Sequence, residues 1–228
     1  MHRMKLPVTI HRARLGPVEF KVIRPARPPV RAVLVDRDRH LDALLDQDAA
    51  KLIGGLWTIA ASSPRSLVHV PMRGNQAPEH GWSQAGTRQL DLVLLHHSLQ
   101  FAPAGWKELR ARLGPGHPQT VTLPAPTPAP APAPAGASSG DDEARHHREN
   151  RDLFQQHLHA ETLFMTGSAK VFRTTAHHFL DIARHGPGYV AAHGPDAHFC
   201  TRFHSTAGVL GDAREIHIEY CDRWNPGG

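Results

Sequence analysis

The stretch QQHLHAETLF, residues 155–164, decides how the second half of the chain is built. As a strand it would place His157, His159 and Glu161 on one face, because successive residues alternate sides. Two imidazoles and a carboxylate are the ligands of a facial metal triad. As a helix, at about 100° per residue, His157 and Glu161 would stand about 40° apart while His159 points away. The surrounding residues favour the helix. Leu153, Phe154, Leu158, Phe164 and Met165 gather into one apolar stripe about 140° wide. His157 and Glu161 fall inside the stripe and His159 outside. The expectation is therefore one helix over DEARHHRENRDLFQQHLHAETLFM, with a His157/Glu161 hydrogen-bonded pair and no three-ligand site.

Working outward, PAPTPAPAPAPAGASSG at residues 124–140 alternates Pro with small residues. Such a run resists helix and sheet pairing and favours an extended spacer. It predicts an α/β N-terminal module with a partly parallel sheet over residues 1–123. A Pro/Ala-rich linker over 124–142 and a smaller α+β C-terminal module with an antiparallel hairpin over 143–228 follow.

In the first segment, VTIHRAR and VEFKVIR read as a hairpin around Gly16-Pro17, and VRAVLVD (30–36) as a strand. The apolar positions from His40 to Ala61 follow helical spacing and predict one amphipathic helix. SLVHV, LDLVLLH and TVTL read as strands, and PAGWKELRARLG as a helix with Pro at its start and Gly past its end. The unbroken apolar run Leu92–Leu95 suits a central strand covered on both faces.

Beyond the linker, Thr174 or Thr175 is the expected cap of a helix AHHFLDIARHG closed by Gly186 and Pro187. Two alternating segments follow, HFCTRFH (198–204) and EIHIEYC (215–221). Each has an apolar and a polar side, and a symmetric turn would pair Cys200 with Cys221, Arg202 with Glu219 and His204 with His217. Cys200, His204, His217 and Cys221 would then form a Cys2His2 set for which Zn is possible, but neither strand carries the C-x2-C or H-x3-H spacing of known zinc sites, so the expectation is half-buried thiols beside an Arg202/Glu219 pair and no cofactor.

Open parallel sheets place ligand sites at the carboxyl ends of their strands. Those ends supply Asp36, Asp38, Arg73, Asn75, His96, His97 and Ser98. His96 or His97 would be the general base, with Asp36 as a further catalytic candidate. Arg73, Asn75, Ser98 and Asp38 would bind the ligand, Arg73 holding an anion. AVLVDRD resembles the first motif of haloacid dehalogenase-type phosphotransferases and the opening acidic strand of response-regulator receivers. DLVLLHHSLQFAPAGWKELRARL is similar to the receiver segment ending at the phosphate-accepting Asp, which is His96 here. The phosphotransferase pattern departs at His40, and no Lys closes the last strand as a receiver requires.

Composition narrows the classes further. The longest apolar run, Leu52–Ala61, is half the roughly 20 residues a membrane span needs. No membrane partner is expected, and the lack of a signal-like N-terminus predicts a cytoplasmic protein. Two cysteines do not make a disulfide framework. The net charge of +5 comes from residues 1–40, which hold 10 Lys+Arg against 3 Asp+Glu. Those cations lack aromatic interleaving, so a solvated basic face is expected rather than a nucleic-acid surface. The leading expectation is a non-catalytic binding or regulatory protein for a protein or small-molecule partner. The alternative is a small-molecule or phosphate-directed enzyme at the carboxyl edge of the N-terminal sheet.

Overall fold

The structure, a computed structural model, describes residues 3–78, 87–124, 152–194, 196–204 and 207–224. It is an α/β fold with two mixed sheets and few helices. Residues 125–142 of the expected linker lie outside the described residues.

The expected hairpin forms from β1 (Met4–Leu15) and β2 (Val18–Pro25), and Gly16 takes the φ of 60° that its tight turn needs. The seven-stranded sheet continues through β5 (Ser66–Val70), β7 (Asp91–His96) and β8 (His117–Leu123), and includes β9 (Gln155–His159) and β10 (Thr162–Gly167). Its order is β8-β1-β2-β5-β7-β10-β9. The five-stranded sheet uses β3 (Ala32–Asp36), β4 (Leu41–Leu45), β6 (Arg88–Gln89), β11 (Cys200–Phe203) and β12 (Ile216–Tyr220), in the order β11-β12-β4-β3-β6.

The helix expected across 155–164 is a β-hairpin. Ala160 and Glu161 both adopt left-handed φ, at 47° and 55°, which closes β9 onto β10 in two residues. β10 then pairs in parallel with β7, Leu163 beside Leu92 and Met165 beside Leu94. Likewise β12 pairs in parallel with β4, Ile218 beside Ala43. Strands from 1–123 and 143–228 thus share both sheets, so the expected two-module split is not confirmed.

The main core lies between the sheets. Leu6, Val68, Leu94 and Met165 of the larger sheet join Leu34, Leu45, Phe203 and Ile218 of the smaller one around helix α1 (Gln47–Ser62). Trp57 of α1 touches Phe154, Phe172, Phe179 and Phe203, and its Nε1 donates to Thr175 Oγ1 at 2.9 Å. The outer face of the larger sheet packs Phe20, Val93, Leu95 and Phe164 under Trp106 and Leu109 of helix α2 (Trp106–Ala111). The outer face of the smaller sheet carries Val33, Val35, Leu44 and Trp224. Both faces of the strand containing Leu92–Leu95 are covered, as its apolar run requires.

Three further expectations change. The single helix over 40–61 divides into β4 and α1, because Asp46 accepts the backbone N–H of Ala49 and caps the helix there. Neither Thr174 nor Thr175 caps the helix that follows them, whose N-cap is Ala176 with no side-chain hydrogen bond; both threonines lie within a separate helix α3 (Ala169–Thr175), capped by Ser168. Helix α4 (His177–His193) does not stop at Gly186-Pro187 but continues for two further turns. Gly186 is needed for proximity, since a Cβ there would come within 2.5 Å of the Tyr220 ring.

Candidate metal centre

The β11–β12 hairpin is antiparallel as expected, but its register is Cys200 opposite Glu219 and Arg202 opposite His217. This is two residues away from the symmetric pairing. Because side chains repeat every two residues, the polar face survives while the partners change. Cys200 is not paired with Cys221, and neither cysteine forms a disulfide.

That polar face collects Cys200 from β11, His217 and Glu219 from β12, Asp42 from β4, and His198 just before β11. Donor atoms of His198, Cys200 and His217 all lie within 4.8 Å of one another. The two Nε2 atoms are 3.3 Å apart and the imidazole planes are nearly parallel, at 8°. Each Nδ1 turns to a carboxylate: His198 to Glu219 Oε1 at 3.2 Å, His217 to Asp42 Oδ1 at 3.3 Å.

Both carboxylates are nearly closed off from water. Asp42 is 1% exposed, and its Oδ2 accepts Arg37 Nε at 2.9 Å. Burial pushes its pKa up, but the imidazole of His217 3.3 Å away, the hydrogen bond from Arg37 and nearby His40 more than reverse this and hold it below the usual range. Glu219 is 8% exposed, and burial pushes its carboxyl up to about 7, against the attraction of His217. Its Oε2 has no hydrogen-bond partner among the described residues. Burial and Glu219 also raise the Cys200 thiol, Arg202 acting in opposition. Burial raises the Cys221 thiol to about 12, and that thiol is not among the clustered donors.

The three donors could hold a metal ion, and the Nε2 atoms are also within hydrogen-bond distance of each other. With metal–nitrogen bonds of about 2.0–2.1 Å, two ligand nitrogens stand about 3.4 Å apart, close to the 3.3 Å seen here. A carboxylate stands 3.2–3.3 Å from each Nδ1, the placement that favours a proton there and an Nε2 free to coordinate once an ion is bound. A thiolate with two imidazoles is a borderline-soft set suited to Zn(II).

Of the four candidate cysteines and histidines, Cys200 and His217 are together. His204 is elsewhere, with Nδ1 3.6 Å from Glu215. His198 is not among the candidates read from the sequence, although it lies two residues before Cys200 on the same predicted polar side.

The sheet-edge candidates separate. Arg73 sits at the start of β7, where Nη1 meets Glu161 at 2.6 Å and Nε lies 3.6 Å from Asp91. His96 closes the other end of that strand, five residues and about 17 Å away, with Nδ1 2.8 Å from Ser98 Oγ and its ring against His97. Asp36 is held by Arg88 at 2.8 Å and Arg214 at 2.6 Å, which keep its pKa low despite its burial. Asp38 occupies the β3–β4 turn with φ 61°. Asn75 donates to the carbonyls of Pro29 and Ala32. In the opening segment, His157 and His159 share a strand face as the strand reading requires, but Glu161 turns to Arg73.

Comparison with protein-family models, curated proteins and solved structures gives no match. No helix among the described residues is long and apolar enough to cross a membrane.

Proposed function

We propose that the protein is a metal-dependent binding or regulatory protein that holds a Zn(II)-class ion with Cys200 Sγ, His198 Nε2 and His217 Nε2. The observation that carries this reading is the pair of Nε2 atoms 3.3 Å apart, each on an imidazole whose Nδ1 faces a buried carboxylate. Glu219 orients His198, and Asp42 orients His217. With three protein donors, a fourth position is left for water or a partner's group. Binding requires the Cys200 thiolate, so it releases a proton and tightens as pH rises.

The sheet-edge enzyme alternative has less support, because its base and its anion-holding arginine stand at opposite ends of β7.

Metal analysis and Co(II) substitution test the metal reading. Purified chain should carry one ion, and Co(II) should give the intense visible absorption of a tetrahedral thiolate site. Cys200→Ala, His198→Ala and His217→Ala should each weaken binding by about 10-fold or more. Sub-stoichiometric metal, or Cys200→Ala binding as tightly as wild type, would refute it.

A further inference from the structure

On the other side of the larger sheet, under α2, hydrogen-bond donors outnumber acceptors. Asp91, 3% exposed at the start of β7, is saturated. Its Oδ1 accepts the N–H groups of Met72 and Arg73 at 3.0 and 3.1 Å. Around Oδ2 stand Arg110 Nη1 at 3.3 Å, His69 Nε2 at 3.5 Å and Arg73 Nε at 3.6 Å.

His69, 1% exposed on β5, accepts Arg24 Nε at Nδ1, 2.9 Å away. That bond places its own proton on Nε2, which has no aligned acceptor among the described residues. Trp106 stands edge-on to His69 with ring centroids 4.8 Å apart, and its fully buried Nε1–H has no acceptor among the described residues either. Among the described residues, the bond to His69 is the single hydrogen bond of the Arg24 guanidinium, and Arg24 forms no ion pair. It is nonetheless half-buried, and its pKa is lowered by that burial and by the neighbouring Arg110, with Asp91 acting in opposition.

The charges do not balance. Arg24, Arg73 and Arg110 stand against Asp91 and Glu161, and Glu161 is matched to Arg73 at 2.6 Å. A half-buried cation without a counter-ion is costly, and a guanidinium fork is shaped to receive a carboxylate or phosphate oxygen pair. We propose that Arg24 and Arg110 together hold a small oxyanion, a carboxylate or phosphate group carrying one net negative charge, at the rim of the His69–Asp91 pair. Asp91 holds Arg110, and His69 orients Arg24. This site is independent of the metal centre.

The test is a thermal titration of the full chain with sodium phosphate and, separately, sodium acetate, with ionic strength held constant by sodium chloride. A bound anion raises Tm saturably, because it binds the folded state alone. The better of the two salts identifies the oxyanion class. Arg24→Gln and Arg110→Gln should each weaken half-saturation by about 10-fold or more, with Zn binding unchanged. Arg110 is partly exposed on α2, so its variant remains informative if Arg24→Gln does not fold. A response to both salts no larger than that to chloride, or one that persists equally in Arg110→Gln, would show that the network is only a structural brace and overturn the proposal.

Discussion

Gln47 Nε2 donates to the carbonyl of Ala183 at 3.0 Å, and Ala183 lies one turn before Pro187 within α4. Proline has no N–H, so the carbonyl four residues earlier loses its helical partner. The side chain of Gln47, at the first position of α1, supplies the missing donor. It also ties together two helices from opposite ends of the sequence.

Gln47→Ala should therefore cost about 1–3 kcal/mol, the range for leaving a buried acceptor unsatisfied. Pro187→Ala restores an N–H to that acceptor. In the Pro187→Ala background the Gln47→Ala cost should fall below 1 kcal/mol or so, a coupling readable by urea unfolding of the four proteins. Equal costs in both backgrounds would mean that Gln47 does not serve the proline gap.

His178 should contribute to the loss of stability in acid. Its Nδ1 lies 2.6 Å from Thr201 Oγ1 and its ring packs edge-on against Phe203. Burial, with His177 adding repulsion, lowers its pKa to about 3. A histidine with a depressed folded pKa binds fewer protons when folded than when unfolded. Its contribution is fully present above the unfolded value of about 6.5 and is lost as pH falls toward about 3. Unfolding free energy of the metal-free protein should decline through that window. His178→Gln, which keeps a polar partner for Thr201, should flatten the decline. An unchanged slope in the variant would count against His178 as the source.

The strands that carry long apolar runs were readable because burial on both faces leaves no choice of residue. β3, β5 and β7 are buried at nearly every position. The β9–β10 hairpin was not readable, for two physical reasons. Its turn puts Ala160 and Glu161 in left-handed conformations that usually advertise themselves through Gly or Asn. The inward residues Leu158, Leu163 and Met165, with Phe164 facing the α2 side, also happen to align on a helical wheel. Gly186-Pro187 resembled a helix end because its purposes, room for Tyr220 and a gap filled by Gln47, involve distant residues. At the metal face, alternation alone revealed the polar side holding Cys200 and His217. Choosing His198 over His204 required the register, which the 204–215 connection sets. Asp42 was hidden by its assignment to a helix.

The carboxylates behind the two imidazoles give the sharpest discrimination at the metal face. Glu219 Oε1 lies 3.2 Å from His198 Nδ1, and Asp42 Oδ1 lies 3.3 Å from His217 Nδ1. Replacing either with its amide removes a charged acceptor and lowers the basicity of the coordinating nitrogen, so metal affinity should fall by about 10–100-fold. Their effects on the metal-free fold should differ. Asp42 is paired with Arg37, whose side chain is 10% exposed, and breaking a buried ion pair costs about 3–5 kcal/mol, so Asp42→Asn should also lower Tm. Glu219 is a buried carboxylate with an unpartnered oxygen, and Glu219→Gln should leave metal-free Tm unchanged or raise it. Competition for Zn(II) against a chromophoric chelator, with melting of the stripped proteins, separates the two. Wild-type affinity in Glu219→Gln would mean that His198 is not held by Glu219 when the metal is bound.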